Sequence, residues 1–333
     1  MKSTFPLAGI GIVKRGSADQ ILEIYFPEIW HSATAEKYLA LLDLDPKQSK
    51  EIEHFKPTQL KSSESEFLRE LKAATVEFIF INLTQDQPVT SIAQAYLKLS
   101  AISRQLFKPN QLNLDGLFAV LPTVAWTNQG PIEVNQINQA ILKARLNHQH
   151  LTVYSVDKFP PLTAHYIPGG VRIADAARVR LGAYLGKGTT VMHEGFVNFN
   201  AGTEGPNMVE GRISAGVFLG KGTDLGGGAS TMGTLSGGNN IRISLGDDCL
   251  IGANSGCGVP LGNNCTIEAG LYLTAGMKVK VMDRAGEEIQ TVRARDLAGV
   301  SGLLFRRNSE TGAVEALPRS TEFSLNEILH LND

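Results

Sequence analysis

The amino-acid sequence predicts a mainly β protein organised around a parallel β-helix, because an aliphatic residue recurs every six positions across much of residues 173–281. A period of six fits neither the 3.6-residue turn of a helix nor the two-residue alternation of a long strand. Many of these residues precede a glycine, which turns a corner with positive φ at no steric cost. We therefore predict short flat strands, three to each triangular coil, rather than a glycine-rich sandwich. The aliphatic positions are Ile173, Val179, Leu185, Val191, Val197, Ile213, Leu219, Leu225, Leu245, Ile251, Leu261, Ile267, Leu273 and Val279.

The repeat is interrupted at residues 198–212 and again at residues 230–242. Insertions into stacked repeats form loops that project from one face, and such loops often carry function. Both segments are therefore predicted to leave the coil as functional loops.

Residues 1–165 predict an α/β domain that caps the N-terminal end of the coil. Runs rich in Ile, Val and Phe predict strands at residues 7–14, 21–26, 76–83 and 117–126. Helical spacing predicts a helix over residues 91–107, which Pro109 would stop. Ser63 with Glu66 predicts a capping box, and Asn135 predicts the cap of a further helix. No dinucleotide or Walker motif occurs here, so a nucleotide site is not expected.

Three domains are predicted, at residues 1–165, 166–282 and 283–333. Proline and glycine at residues 158–162 and 168–170 mark the first boundary. The six-residue repeat ends after Val281, and residues 283–286 predict a hairpin turn that begins a short C-terminal β extension.

The composition excludes several classes of protein. A net charge of −2 over 333 residues gives no reason to expect nucleic acid or a membrane as partner. Three cysteines inside the repeat, with no paired spacing, predict small buried thiols rather than a disulfide or metal site. The first residues lack the apolar run of a signal peptide, and no stretch of 18 apolar residues occurs. We therefore expect a soluble, cytoplasmic protein.

Glu210 is the acid whose position best suggests chemistry. It stands beside Gly211 and Arg212, where backbone could approach a ligand, and a carboxylate there can accept a proton or attack an acyl carbon. A surface ion pair with Arg212 is the structural alternative. The glycines at residues 226–228 suggest backbone N–H groups aimed at an oxyanion, or simply a corner. His193 has too few histidine neighbours to predict a zinc site.

Several motifs together carry a resemblance to a known family. They are residues 192–203 (MHEGFVNFNAGT), 208–216 (MVEGRISAG), 226–230 (GGGAS), 232–238 (MGTLSGG) and 304–309 (LFRRNS). In these motifs the sequence resembles tetrahydrodipicolinate N-succinyltransferase, in the longer form found in pseudomonads and actinobacteria. The resemblance implies a homotrimer of left-handed β-helices. It also implies transfer of a succinyl group from succinyl-CoA to the amine of 2-amino-6-oxopimelate, the opened form of tetrahydrodipicolinate, in lysine and diaminopimelate biosynthesis.

The resemblance also implies roles for individual residues. Glu210 takes the place of the catalytic glutamate, described in the family as forming an acyl-anhydride intermediate. Some relatives bind magnesium at the trimer axis through two acids; Glu194 matches one, and Ala177 stands where the other is expected. The implied acyl-CoA contacts, some of them in the C-terminal extension, are Arg212, Gly227, Ser230, Ala253, Glu268, Ala269, Gly276, Arg293, Arg306, Arg307, Asn308 and Ser309.

Three questions stay open at the level of sequence. Glu210 acts either as a nucleophile that carries the acyl group or as a general base for direct transfer. The acceptor could be another amine, such as an amino sugar, as in related hexapeptide-repeat acyltransferases. A non-enzymatic β-helix scaffold is the third alternative, although the predicted loops argue against it.

Overall fold

The computed structural model describes residues 5–32, 34–35, 52–55, 69–70, 76–235 and 241–319. The chain forms two compact units, which we call the N-terminal unit (residues 1–107 and 111–166) and the coil unit (residues 108–110 and 167–333). No helix in the described ranges is both long and apolar enough to cross a membrane.

The N-terminal unit contains a four-stranded antiparallel sheet in the order β2-β1-β4-β3 and a three-stranded antiparallel sheet in the order β6-β5-β7. The strands are β1 (Leu7–Arg15), β2 (Ile21–His31), β3 (Ile52–Phe55), β4 (Phe78–Leu83), β5 (Val124–Thr127), β6 (Gly130–Glu133) and β7 (Val153–Asp157). The helices are α1 (Ile92–Ser103), α2 (Leu117–Val120), α3 (Ile137–Leu146) and a 3-10 turn at Leu162–Ala164.

The predicted strands at residues 7–14 and 21–26 are confirmed, and the strand predicted at 76–83 is β4. The helix predicted over residues 91–107 is α1. Ser91 caps it, because its side chain accepts a hydrogen bond from the Gln94 N–H, and the helix ends at Ser103, earlier than expected. The strand predicted at 117–126 is wrong in its first half. Gly116 adopts φ 86°, which starts the single turn α2 before the chain extends into β5.

Asn135 was also predicted wrongly as a helix cap. The cap of α3 is Gln136, with helical backbone angles and no side-chain bond to the helix, so this helix begins without a side-chain cap. The capping box predicted at Ser63 and Glu66 lies outside the described residues.

The coil unit winds its strands into three sheets, as predicted for a parallel β-helix. Within the coil the first sheet runs β21-β19-β16-β13-β10-β8, the second β11-β14-β17-β20-β22 and the third β18-β15-β12-β9. The coil strands are β8 (Arg172–Ile173), β9 (Ala183–Leu185), β10 (Thr190–Val191), β11 (Phe196–Val197), β12 (Ala201–Thr203), β13 (Met208–Val209), β14 (Arg212–Ile213), β15 (Phe218–Leu219), β16 (Asp224–Leu225), β17 (Ser230–Thr231), β18 (Ser244–Leu245), β19 (Leu250–Ile251), β20 (Gly256–Gly258), β21 (Thr266–Ile267) and β22 (Tyr272–Thr274). A 3-10 turn lies at Ala176–Arg178.

The six-residue positions form the coil interior. All of them except Ile173 are buried. Parallel pairing in register stacks them on the equivalent residue of the next coil, as with Leu225 on Ile251 and Ile251 on Ile267. The repeat therefore encodes the core directly.

The segment at residues 198–212 is not the loop that was predicted. Strands β12, β13 and β14 run through it, and Thr203 and Val209 are fully buried at successive six-residue positions. The Thr203 hydroxyl meets the Thr189 hydroxyl at 2.8 Å, so a polar side chain is satisfied inside the core. The repeat then slips, which means that the spacing of inward residues is shortened: Ile213 follows Val209 by four residues instead of six.

At the second interruption the chain does leave the coil. Thr231 is still inside the core, but Thr234 and Arg242 pair as an antiparallel bridge, so these described residues depart from the parallel pairing of the coil. The central residues of this interruption lie outside the described ranges.

The C-terminal part extends the first sheet. β23 (Lys278–Met282) and β24 (Glu288–Arg293) form the hairpin predicted at residues 283–286, with Gly286 at φ 87°. A 3-10 turn (Ala294–Leu297) precedes β25 (Leu303–Arg307), which pairs with β21 in parallel and with β26 (Val314–Pro318) in antiparallel fashion. The last described strands therefore belong to the coil unit.

The three cysteines are buried free thiols. The Cys249 Sγ donates to the Gly262 carbonyl at 3.0 Å, and the Cys257 Sγ donates to the Val259 carbonyl at 3.1 Å. Burial raises the pKa of Cys257 to about 12, which keeps it a protonated, unreactive thiol.

Candidate active site

Most of the predicted site residues lie on one edge of the coil, where the chain turns from the first sheet to the second. We call it the site edge; its corners are residues 192–195, 210–211, 226–229, 252–255 and 268–271. The site residues at these corners are Glu194, Glu210, Gly227, Ala253, Glu268 and Ala269. Arg212 and Ser230 begin the second-sheet strands that follow two of the corners.

Backbone hydrogen bonds stack these corners on one another. The Asn254 N–H donates to the Gly227 carbonyl at 2.8 Å, and the Gly270 N–H donates to the Ala253 carbonyl at 2.9 Å. Asn254 takes φ 54°, a conformation that asparagine tolerates better than most residues. The spacing of neighbouring corners is therefore that of adjacent strands, about 4.8 Å.

The corner that holds Glu210 is shorter than the others on this edge. β13 ends at Val209 and β14 starts at Arg212, so only Glu210 and Gly211 lie between them. A β carbon on Gly211 would sit 2.2 Å from the Ala229 carbonyl oxygen, so the tight corner requires glycine. The Glu210 side chain is half-buried, and its Oε2 lies 3.7 Å from where a β carbon on Gly227 would be. The carboxylate thus faces the glycine corner of the next coil.

Arg212 is held by a hydroxyl rather than by the neighbouring acid. Its Nε and Nη2 both donate to the Ser230 Oγ, at 3.0 and 2.7 Å. Within the described residues Glu210 and Arg212 form no ion pair, so the structural alternative considered for Glu210 is not what holds it. The remaining guanidinium edge of Arg212 is exposed.

An open cavity of about 410 Å³ lies beside the site edge, over the second sheet. Arg178 lies at its wall, where the guanidinium donates to the carbonyl oxygens of His193 and Glu194 at 3.2 and 3.1 Å. Two cations and two aromatic rings therefore surround one space. The lining residues are Arg178, Glu194, Phe196, Gly211, Arg212, Gly228, Ala229, Ser230 and Tyr272.

The C-terminal run Arg306 to Ser309 continues the site edge beyond the last coil. The Arg307 N–H donates to the Glu268 Oε2 at 2.8 Å, next to the last corner. Arg306 and Asn308, however, donate to the buried Glu315 carboxylate at 3.0 and 2.8 Å. Arg307 is exposed and its guanidinium donates only to the Gly312 carbonyl among the described residues. Arg306 and Asn308 therefore stabilise the fold through Glu315, whereas the guanidinium of Arg307 faces solvent.

Gly276 and Arg293 lie away from the site edge. Gly276 follows β22 at the next corner, and Arg293 ends β24, paired with Lys278. No atom lies within 4 Å of where a β carbon on Gly276 would be, so this corner has an open surface. The two predicted contacts are thus near each other but separate from Glu210.

The residues available to magnesium do not fit that ion within one chain. Glu194 is exposed, but Ala177 offers no donor atom where a second acid would be required. The described residues contain no group of three or more His, Cys, Asp or Glu placed to hold a metal. Magnesium takes six oxygen ligands in near-octahedral geometry, which Glu194 alone cannot supply.

Sequence reasoning missed Arg178, Phe196 and Tyr272 as lining residues. Phe196 and Tyr272 each stand just before an inward position, Val197 and Leu273, and therefore point outward on the second sheet. The six-residue repeat contained that signal, since the residue before each core position faces away from the coil.

A coil of hexapeptide repeats with a carboxylate, an arginine and glycine corners on one edge defines a hexapeptide-repeat acyltransferase. The comparisons with known proteins agree with this class. A family model described as the hexapeptide repeat of succinyl-transferase matches residues 242–275. Models described as the N-terminal and middle parts of tetrahydrodipicolinate N-succinyltransferase match residues 31–119 and 121–160.

Proteins that align with most of this chain are named as the same enzyme. The chain is 56% identical to the 2,3,4,5-tetrahydropyridine-2,6-dicarboxylate N-succinyltransferase of Pseudomonas aeruginosa, over 82% of this chain and 80% of that protein. It is 50% identical to the enzyme of that name from Vibrio cholerae, over 88% and 85%. A crystal structure from Campylobacter jejuni, named as a 2,3,4,5-tetrahydropyridine-2-carboxylate N-succinyltransferase, matches with a TM-score of 0.86 at 32% identity, covering 95% and 93%.

The chain belongs to the tetrahydrodipicolinate N-succinyltransferase family. The predicted fold class, a left-handed parallel β-helix with an α/β N-terminal part and a short C-terminal β extension, is confirmed.

Proposed function

We propose that this protein transfers a succinyl group from succinyl-CoA to the amine of 2-amino-6-oxopimelate, the opened form of tetrahydrodipicolinate, in lysine and diaminopimelate biosynthesis. The observation that carries this proposal is the 56% identity to the named Pseudomonas aeruginosa enzyme over 82% of the chain. The chemistry of the site edge supports it independently, since a carboxylate, an arginine and glycine corners lie there together.

The succinyl carboxylate would bind Arg212. A guanidinium binds a carboxylate through two parallel hydrogen bonds, and its orientation must be fixed for this geometry to hold. The two bonds to Ser230 supply that orientation while leaving another edge of the guanidinium exposed to the cavity.

Glu210 stands beside the place where the thioester would then lie. As a nucleophile, a Glu210 oxygen attacks the succinyl carbonyl carbon, the carbon–sulfur bond breaks, and CoA leaves as a thiolate that takes up a proton. The acceptor amine next attacks the resulting anhydride, the bond to Glu210 breaks, and the nitrogen loses a proton. As a general base, Glu210 instead takes the amine proton while the amine attacks the thioester directly; the carbon–sulfur bond breaks, and CoA leaves as a thiolate that takes up a proton. The half-buried carboxylate is compatible with both mechanisms.

The CoA chain would run along the remaining corners of the site edge. Gly227, Ala253 and Ala269 have little or no side chain, so an extended pantetheine arm can lie close to the backbone there. The exposed cations Arg307 and Arg293 are suited to phosphate. Glu268, Gly276, Arg306, Asn308 and Ser309 complete the proposed contacts, with Arg306 and Asn308 acting through the Glu315 network.

The functional protein is proposed to be a homotrimer with sites between neighbouring coils, because an open cavity needs an opposing wall to exclude water. A monomeric mass in dilute solution with full activity would contradict this. Division into domains at residues 1–165, 166–282 and 283–333, the capping role of the first and a cytoplasmic location remain predictions.

The direct test is release of free thiol from succinyl-CoA in the presence of candidate amines. Tetrahydrodipicolinate is expected to give turnover in this assay, whereas amino sugars are expected to give none. Turnover with an amino sugar alone would favour the related acyltransferase alternative. Absence of thiol release with every amine would favour the scaffold.

A further inference from the structure

The outward side chains of the second sheet form a straight row. Parallel pairing in register places Phe196 beside Arg212, Arg212 beside Ser230, Ser230 beside Gly256, and Gly256 beside Tyr272. Neighbouring members of this row are separated by one strand spacing, about 4.8 Å. The row runs along the floor of the cavity beside the site edge.

The ring of Tyr272 lies flat on Gly256. A β carbon on Gly256 would sit 2.3 to 2.4 Å from the Cγ, Cδ2 and Cε2 atoms of that ring, and Gly256 is itself buried beneath it. Gly256 does not have the positive φ that would require glycine for backbone reasons. The space that the ring occupies is therefore what this glycine provides.

The position of the ring limits the cavity. Tyr272 is 41% exposed and lines the cavity together with Arg212 and Ser230. Its strand, β22, lies two strands beyond β17, the strand of Ser230. By lying back over Gly256, the ring fills the position next to Ser230. A ligand whose carboxylate rests on Arg212 thus meets an aromatic wall in the direction of Gly256.

We propose that Tyr272, seated on Gly256, selects the length of the donor acyl chain. The inference rests on the proposed function, in which the thioester lies at Glu210 and the terminal carboxylate lies at Arg212. The Arg212 guanidinium lies against the Ser230 hydroxyl, so a carboxylate bound to it lies beside the ring. A donor with one more methylene group would push that carboxylate toward Gly256, where the ring already lies. The pair therefore admits a succinyl group and rejects longer dicarboxylyl groups.

The test is the ratio of kcat/KM for succinyl-CoA to kcat/KM for glutaryl-CoA, measured by thiol release. Tyr272→Ala should lower this ratio about tenfold or more, because one methylene group in an apolar pocket is worth about 10- to 200-fold in discrimination. Gly256→Ala should lower it similarly with the tyrosine still present, since the added methyl group displaces the ring. Tyr272→Phe keeps the ring and should keep the ratio.

Two control variants separate this effect from general damage to the coil. Gly169→Ala adds a methyl group where no atom lies within 4 Å, and Leu250→Ala truncates an exposed side chain of the first sheet. Both should retain the wild-type ratio. If a variant turns over too slowly, the ratio of dissociation constants for the two CoA esters, by calorimetry, replaces the kinetic ratio.

The outcomes distinguish the inference from the proposed function. A wild type that releases thiol from succinyl-CoA, with an unchanged ratio in Tyr272→Ala, overturns the inference alone. A ratio that falls equally in Tyr272→Phe assigns the selectivity to the hydroxyl and also overturns it. A wild type inactive with succinyl-CoA overturns both. If Gly256→Ala does not fold, Tyr272→Ala and Tyr272→Phe decide the question.

Discussion

In the described part of the coil the corners are shortened at two places, where inward residues are four positions apart instead of six. One lies between Val209 and Ile213 and the other between Cys257 and Leu261. The first contains the half-buried Glu210, next to Gly211 and Arg212, which line the cavity. The second contains Val259, which is fully buried and accepts a hydrogen bond from the Cys257 thiol through its carbonyl.

The two shortened corners show that a slip in the repeat is a structural device that does not by itself create a site. At Glu210 the neighbouring coil offers a glycine corner and open space, whereas at Val259 the surroundings are core. Function follows from the ionisable group and its neighbours rather than from the slip.

The largest expected effect comes from Glu210→Gln at the first corner. The amide keeps the size of the side chain but removes nucleophilic and basic capacity, so kcat should fall by about two to four decades. The midpoint of thermal unfolding should not change, because the carboxylate lies outside the core. Asp224→Asn is the matched control, since Asp224 is an outward acid on the next coil, and it should keep normal turnover. Retention of more than about a tenth of wild-type kcat by Glu210→Gln would exclude a catalytic role.

Val259→Ala at the second corner should show the opposite pattern. Removing two buried methyl groups should lower the free energy of unfolding by about 1.5 to 3 kcal/mol, from lost burial and the cavity left behind. The kcat of the folded protein should stay within about twofold of wild type, because no site residue is touched. Chemical denaturation and thiol release on the same preparation test both statements. A tenfold loss of kcat in folded Val259→Ala would break the distinction between the two corners.

Arg306 and Arg307 test the same distinction, between a residue that stabilises the fold and one that serves the site, at the end of the site edge. Arg306→Ala leaves the buried Glu315 carboxylate with only the Asn308 contact among the side chains described around it. We expect a loss of about 2 kcal/mol in the free energy of unfolding, because a buried acceptor loses its charged donor. Adding Glu315→Gln should recover part of this loss in a double-mutant cycle. Strict additivity of the two substitutions would refute the pairing.

Arg307→Ala should give the smallest effect, confined to binding. Its guanidinium is exposed and bonds only a carbonyl among the described residues, so unfolding should be unaffected. The KM for succinyl-CoA should rise about tenfold, the value of one charge-assisted phosphate contact, while the KM for the acceptor amine should not change. Equal KM values for succinyl-CoA in Arg307→Ala and wild type would remove Arg307 from the CoA site.

Much of the fold was predictable because each hexapeptide repeat is a local signal. The period of six, read from Ile173 to Val279, identified the coil and its interior before any contact was known. It failed at residues 198–212 because Thr203 occupies a core position with a polar side chain, and the pattern of aliphatic residues therefore appears broken there. The hydroxyl pair with Thr189, which satisfies that residue, joins two coils and has no local signature.

The sequence by itself determined the coil, most of its core residues and, through the family motifs, the residues proposed for the site, including Glu210. Only the tertiary structure decided how those residues divide their roles. It assigned Arg306 to a buried acid while leaving Arg307 in solvent, oriented Arg212 on Ser230, and placed the Tyr272 ring on Gly256. The physical reason is that a repeat specifies the geometry of a single turn. Which side chains meet across turns depends on the register in which whole coils stack, and that register exists only in the folded chain.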